Sequence, residues 1–215
     1  MPDSRYPPIP GARCPVPGAR SAMNRSEFRP RSRAEWRTWL AAHHASCAGV
    51  WVVYAKKHTG LPTVSYNDAV EEALCVGWID GVVNPVDDRF YRQLFTPRKP
   101  RSHWAASNKT RVARLARQGL MTEAGRGAIR VAKKNGSWHA LDAVEALLVP
   151  PELEQALSRN PAAKAHWRAM SDGRRKQFLF WLNAAKRAAT RQARIAMIVH
   201  CAANKIPPAK RPRML

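Results

Sequence analysis

Acidic residues are scarce in this chain. Its 215 residues hold 15 Asp and Glu against 37 Lys and Arg, for a formal net charge of +22. Cysteine is also sparse, with Cys14, Cys47, Cys75 and Cys201 far apart and no C-x-x-C pair. That spacing argues against a zinc ribbon and against a thioredoxin-like redox motif. No run reaches the roughly 20 apolar residues of a membrane span. No apolar core of a secretory signal is visible near the start, so the expectation is a cytoplasmic protein with reduced thiols. The prolines near the N-terminus oppose an amphipathic transit helix. The sequence has no H-E-x-x-H, no P-loop, no G-x-S-x-G and no dinucleotide fingerprint. His43 and His44 are adjacent, so on a helix they diverge by about 100° and make a poor metal pair. No metal and no cofactor is expected.

What is abundant is positive charge, and it is unevenly spread. Segments 96–134 and 173–215 carry +10 and +11, while 35–95 and 135–172 each carry −2. Blocks of this kind attract polyanions or phosphorylated metabolites, or simply form a solvated basic face. Residues 1–31 are rich in Pro, Arg and Gly without periodicity and are expected to be disordered. Met23 offers an alternative start. Ser32 to Glu35 forms a capping box for a helix that carries Trp36, Trp39, Leu40 and His43 on one face. Val50 to Ala55 reads as a strand. Ser65 caps a helix over 66–78, with Ala69, Val70, Ala73, Leu74 and Gly77 inward. Val82-Val83 and Phe90 to Phe95 read as strands around an Asp87-Asp88 turn, the first an edge strand or a short one because of Pro85. After Ser102 only helices are expected: 103–118, one capped by Thr122, 152–159, 161–170, one after Ser171, and one opened by Thr190. The fold class is therefore α+β: a small antiparallel sheet with packed helices, then an all-helical C-terminal lobe. The expected divisions are a core over 32–135, a helical lobe over 136–205 and a basic tail over 206–215.

The segment Phe95 to Arg111 concentrates the chemistry. Arg98, Lys99 and Arg101 stand between Pro97 and Pro100 and around Pro100, so they sit on stiff backbone. A helix from about 103 would set Trp104, Asn108, Arg111 and Leu115 on one face and aim its N-terminus at an anion. A half-buried Arg111 needs a partner, either a ligand anion or a carboxylate such as Asp80. Lys56 and Lys57 are further candidates for the same anion site. Asp80, at a helix–strand junction, is the alternative catalytic acid or base. Cys75, among apolar neighbours, reads as a buried inert thiol. Lys186, Arg187, Arg191 and Arg194 could line a second basic ridge. Gly125-Arg126-Gly127 lacks the preceding strand that a phosphate loop needs.

The block Glu72-Ala73-Leu74-Cys75-Val76-Gly77-Trp78-Ile79-Asp80-Gly81, with Phe95-Thr96-Pro97-Arg98, Ser102, Trp104, Asn108 and Arg111, resembles the YdeI/OmpD-associated, or bacteriocin-protection, family. Gly119, Met121, Ala124-Gly125, Ala185-Lys186-Arg187 and Thr190-Arg191 extend the resemblance over about 32–205. Val76 and Ala105 depart from the family's usual Phe and Ser. The resemblance implies a link to resistance against bacteriocins and cationic antimicrobial peptides, and it implies no enzymatic reaction. Related proteins imply DNA binding as one mode of action. A chain this basic repels a cationic peptide, so direct sequestration is disfavoured. The expectation is a non-catalytic protein that binds nucleic acid or an anionic small molecule. The alternatives are an enzyme using Asp80 on a phosphorylated or carboxylated substrate, and an interaction module for an acidic protein partner.

Overall fold

The computed structural model describes residues 25–207. Expected disorder over 1–24 and the tail beyond 207 lie outside the described residues. The chain divides into two compact units, the first ending at Trp138 and the second beginning at His139.

The first unit is a mixed sheet covered by helices. Strand β1 (Glu27–Phe28) leads through α1 (Arg33–His43) to β2 (Val50–Ala55). A short 3-10 turn (Lys57–Thr59) precedes α2 (Tyr66–Cys75), β3 (Trp78–Pro85) and β4 (Phe90–Pro97). Helices α3 (Ala106–Arg117) and α4 (Glu123–Lys134) follow. The strand order is β1-β2-β4-β3. β1 runs parallel to β2, while β2–β4 and β3–β4 are antiparallel. The expected antiparallel sheet is there in β2–β4–β3; β1 adds one parallel pair to it and shows order before residue 31, where disorder was expected. A helix between two strands lets them pair parallel, and two residues are too few to leave a periodic signal. β3 is an edge strand, as Pro85 required.

The helix starts follow their caps. Ser32, Ser65, Thr122 and Asn160 each accept a backbone N–H from the residue three positions on. Thr190 does not cap: α9 begins at Ala188 and Thr190 lies inside it. Helix α2 ends at Cys75 rather than 78, because Gly77 turns the chain with φ of 79° and Trp78 opens β3.

The core of this unit is aromatic. Trp36 and Trp39 stack at 5.2 Å, and Phe95 meets Trp36 edge-on at 5.5 Å. Trp36 donates its indole N–H to the Ala69 carbonyl at 3.0 Å, and Trp78 donates to His44 at 3.2 Å. Helix α2 is buried on every side from Ala69 to Cys75, including Glu71 and Glu72. Arg33 and Arg37 of α1 hold Glu72 at 2.5 and 2.6 Å, and Arg114 of α3 holds Glu71. Burial, reinforced by the Glu72 charge, pushes the Cys75 thiol up to about 11, so it is a poor nucleophile at neutral pH. Cys75 and Cys201 are free.

The second unit is all helical: α5 (Asp142–Glu145), α6 (Pro151–Ser158), α7 (Pro161–Ala169), α8 (Asp172–Asn183) and α9 (Ala188–Ala203). Leu153, Leu157, Trp167, Phe178, Leu182 and Ile198 form its core. Among the described residues no helix is long and apolar enough to cross a membrane.

One glycine shows how tightly α4 sits on α2. A Cβ at Gly125 would collide with the Cys75 carbonyl oxygen, which already accepts from the Thr122 hydroxyl at 2.8 Å and its N–H at 3.0 Å. At Gly127 a Cβ would meet only the Arg130 guanidinium at 3.8 Å. Gly125→Ala should therefore cost about 1–3 kcal/mol by overpacking. Gly127→Ala should add about 0.5–1 kcal/mol through helix propensity. Urea unfolding of both variants checks this; equal effects would contradict it.

Candidate anion site

The loop after β4 is held firmly. Arg98 donates its backbone N–H to Gly77 at 3.0 Å, extending the β3–β4 pairing by one step. The Pro100 carbonyl accepts from the Asn135 side chain at 2.6 Å and from the Ser137 hydroxyl at 3.3 Å. Those bonds fasten the loop to the end of α4. Ser102 closes a turn on Lys99 rather than capping a helix, and α3 begins three residues later than expected, at Ala106. Trp104 is therefore a loop residue, not part of the helical face that carries Asn108, Arg111 and Leu115.

Trp104 is only 2% exposed, and its ring packs 4.9 Å from Trp138. The Arg98 guanidinium lies over the Trp104 ring at 3.7 Å. Arg98 donates from Nη1 to the His103 carbonyl at 3.2 Å, and its buried Nε has no hydrogen-bond partner. Burial brings its pKa down to about 10, opposed by the charge of Asp80. No carboxylate pairs with it. Arg98, Lys99, Pro100, Trp104, Val131 and Ala132 help line a hollow of about 110 Å³. That volume suits an anionic head group or a small anion.

Asp80 sits on β3, facing the core side of the sheet, and touches no arginine. Its Oδ2 accepts from the Tyr66 hydroxyl at 3.1 Å and from the Gln93 amide at 2.9 Å. Arg111 donates instead to Asn108 at 3.1 Å and to Asn67 at 3.1 Å. The Asp80–Arg111 pair is thus replaced by neutral partners on both sides. Tyr66 links the two charges: burial raises its pKa, the Asp80 charge raises it further, and the Arg111 charge opposes. Tyr66, Asn67 and Gln93 were missed by sequence reasoning. Gln93 could have been found, because a glutamine between inward Tyr91 and Phe95 breaks an apolar period of two.

The remaining candidates are spread out. Arg101 is exposed and is not among the residues named around the hollow. Lys57 is exposed and Lys56 half-buried, and no hydrogen bond or ion pair ties either side chain to Asp80 or Arg98. In the second basic ridge Lys186 and Arg187 pair with no acid among the described residues, while its other two arginines are engaged. Arg191 holds Glu152 at 2.5 Å, and Arg194 donates to the Trp181 carbonyl. A larger hollow of about 500 Å³ is lined by Arg33, Ala34, Arg37, Gln118 and Leu120. Both its arginines are already paired with internal acids, Arg37 with Glu72 and Arg33 with Asp68, Glu71 and Glu72, so it has little left to offer an anion. Among the described residues no group of three or more His, Cys, Asp or Glu could hold a metal ion.

A cation buried without an acid partner does not serve stability. Arg98→Met keeps a side chain on Trp104 and removes the desolvated charge, so stability should change by less than about 1 kcal/mol. Thermal unfolding checks this; a loss of several kcal/mol would mean Arg98 is a structural cation.

Residues 28–128 match a domain of unknown function (DUF8412), and residues 146–205 match the family described as bacteriocin-protection, YdeI or OmpD-associated. No curated protein and no solved structure matches the chain. The likeness to the YdeI/OmpD-associated family is thus shown over a C-terminal segment of about 60 residues. The motifs read for it between Glu72 and Gly125, with Arg98, Lys99, Trp104, Asn108 and Arg111, fall within the other match.

Proposed function

We propose that this chain is a non-catalytic anion-binding protein in which Arg98, seated on Trp104, takes the charge, with Lys99 beside it. The observation that carries the reading is the half-buried Arg98 guanidinium, with no acidic partner and a buried, unused Nε. A desolvated cation of this kind is costly until something negative arrives. An arginine fork then meets a phosphate or carboxylate with two donors. The C-terminal match supports a role in protection against bacteriocins. The net charge of +22 favours an indirect role over capture of a cationic peptide.

A small anion is the first reading to test. Six of the 22 cations in the two basic blocks are held by acids among the described residues: Arg114 on Glu71, Arg126 and Arg130 on Glu123, Arg175 on Asp172, Lys176 on Glu145 and Arg191 on Glu152. A phosphate-backbone track needs such cations free. Asp80 as a general acid or base receives less support, because its partners are the neutral Tyr66 and Gln93 rather than a second titrating acid or a histidine.

Calorimetric titration with inorganic phosphate tests the reading. Arg98→Ala should weaken binding by about tenfold or more, as loss of a charge-assisted bidentate contact does. Arg101→Ala should change it less than about threefold, as a rim cation does. Equal losses, or no binding by the unaltered chain at any salt, would reject the site. Tighter binding of single-stranded DNA, falling steeply with salt, would favour nucleic acid instead.

A further inference from the structure

We infer that the Arg98 site selects small anions that carry a short alkyl chain, a carboxylate or a phosphate monoester of that kind, over bare inorganic ions. The inference rests on the reading of Arg98 as the anion's host and names the class of anion it takes.

The hollow beside Arg98 is cationic on one side and apolar on the others. Arg98 and Lys99 bring the charge. Pro100 and Trp104 from the loop, with Ala128, Val131 and Ala132 from α4, complete the lining. Among these lining residues there is no acid, no amide and no hydroxyl. The three α4 residues fall at i, i+3 and i+4, so they form one stripe on the helix. Both sides of the hollow are fixed at Gly77. Its carbonyl holds the Arg98 N–H at 3.0 Å, and a Cβ in its place would meet the Ala128 methyl at 3.2 Å. At the other end of α4 the bonds from Asn135 and Ser137 to the Pro100 carbonyl close the frame. The hollow is thus held open by its surroundings, which lowers the cost of filling it.

Val131 is the apolar side chain left most open there, at 45% exposure. A lone exposed valine means little. This one forms the wall of a hollow that also holds a cation. A bare phosphate at Arg98 would turn hydrated oxygens toward carbon and lose hydrogen bonds to water. An alkyl chain covers Val131 and its neighbours instead, and each methylene it buries strengthens binding about fourfold. The volume sets a limit. About 110 Å³ is the share of roughly four waters, at about 30 Å³ each. A chain of a few carbons fits; a nucleoside or a long acyl chain does not.

The test is calorimetry on the full chain at constant ionic strength with two series: acetate, butyrate, pentanoate and octanoate, and inorganic, methyl and butyl phosphate. Affinity should rise about tenfold or more from acetate to pentanoate, or from inorganic to butyl phosphate. It should then stay within about twofold from pentanoate to octanoate, because the hollow is full. The series with the tighter binding tells carboxylate from phosphate. Val131→Asn makes one wall polar at an exposed position. It should cut the chain-length gain at least about threefold and change acetate or inorganic phosphate binding less than about twofold. Met197→Asn, equally exposed at 51% but not lining the hollow, should leave the gain intact. A flat response in both series, with phosphate still bound through Arg98, overturns the inference and leaves the anion site standing. Affinity that keeps climbing to octanoate, or a gain that survives Val131→Asn, also overturns it. Binding unaffected by Arg98→Ala removes the underlying reading, and the inference with it.

Discussion

Glu71 and Glu72 are neighbours in sequence and both are buried, Glu72 to 2% exposure. Two carboxylates side by side in an apolar interior cannot stay ionised unless cations meet them. Three arginines do so: Arg33 and Arg37 from α1 and Arg114 from α3. Everything around α2 depends on this arrangement. It ties the helix preceding β2 and the helix following β4 to one central rod. It thereby brings Tyr66 and Asn67, at the start of α2, against Asn108 and Arg111 on α3 and Asp80 on β3. Hydrophobic packing alone is non-directional; the paired acids add the register that a polar site needs.

The two kinds of arginine in this chain are therefore different in purpose. Arg33, Arg37 and Arg114 are satisfied by internal acids, and Arg33 and Arg37 hold their protons more firmly than an ordinary guanidinium, Arg37 chiefly through its bond to Glu72. Arg98 is moved the other way, by burial without an acid. Arg111 is held by two amides, which orient it and leave its charge unspent. Structure-building cations are paired. The cations left uncompensated on rigid backbone mark the site.

Local signals made much of the fold legible. Ser32, Ser65, Thr122 and Asn160 announced helix starts, Asp87 announced the hairpin turn by accepting from the Arg89 and Phe90 N–H groups, and Pro85 announced an edge. What failed to show was set by distant contacts. β1 exists because β2 offers it a partner. Ser102 looks like a cap, but stacking of Arg98 on Trp104 keeps the chain extended until Ala106. Glu71 and Glu72 read as charges favoured near a helix start, since nothing local reveals that α1 and α3 will cover them. The site was half visible: Arg98, Trp104, Asn108, Arg111 and Asp80 stood out by type and spacing. Tyr66 and Gln93 come from two other stretches, and only the fold brings them together at Asp80.

The central claim is that the Arg98 guanidinium is a cation waiting for an anion. Nitrogen-15 NMR of the arginine side chains reads this directly, because the shielded Arg98 Nε–H should give its own signal. Titration with inorganic phosphate should shift that signal saturably, at the affinity found by calorimetry, while the Arg114 signal, held by Glu71, stays put. An Arg98 signal that does not move under excess ligand, or that drifts with all the others in proportion to ionic strength, would contradict the account.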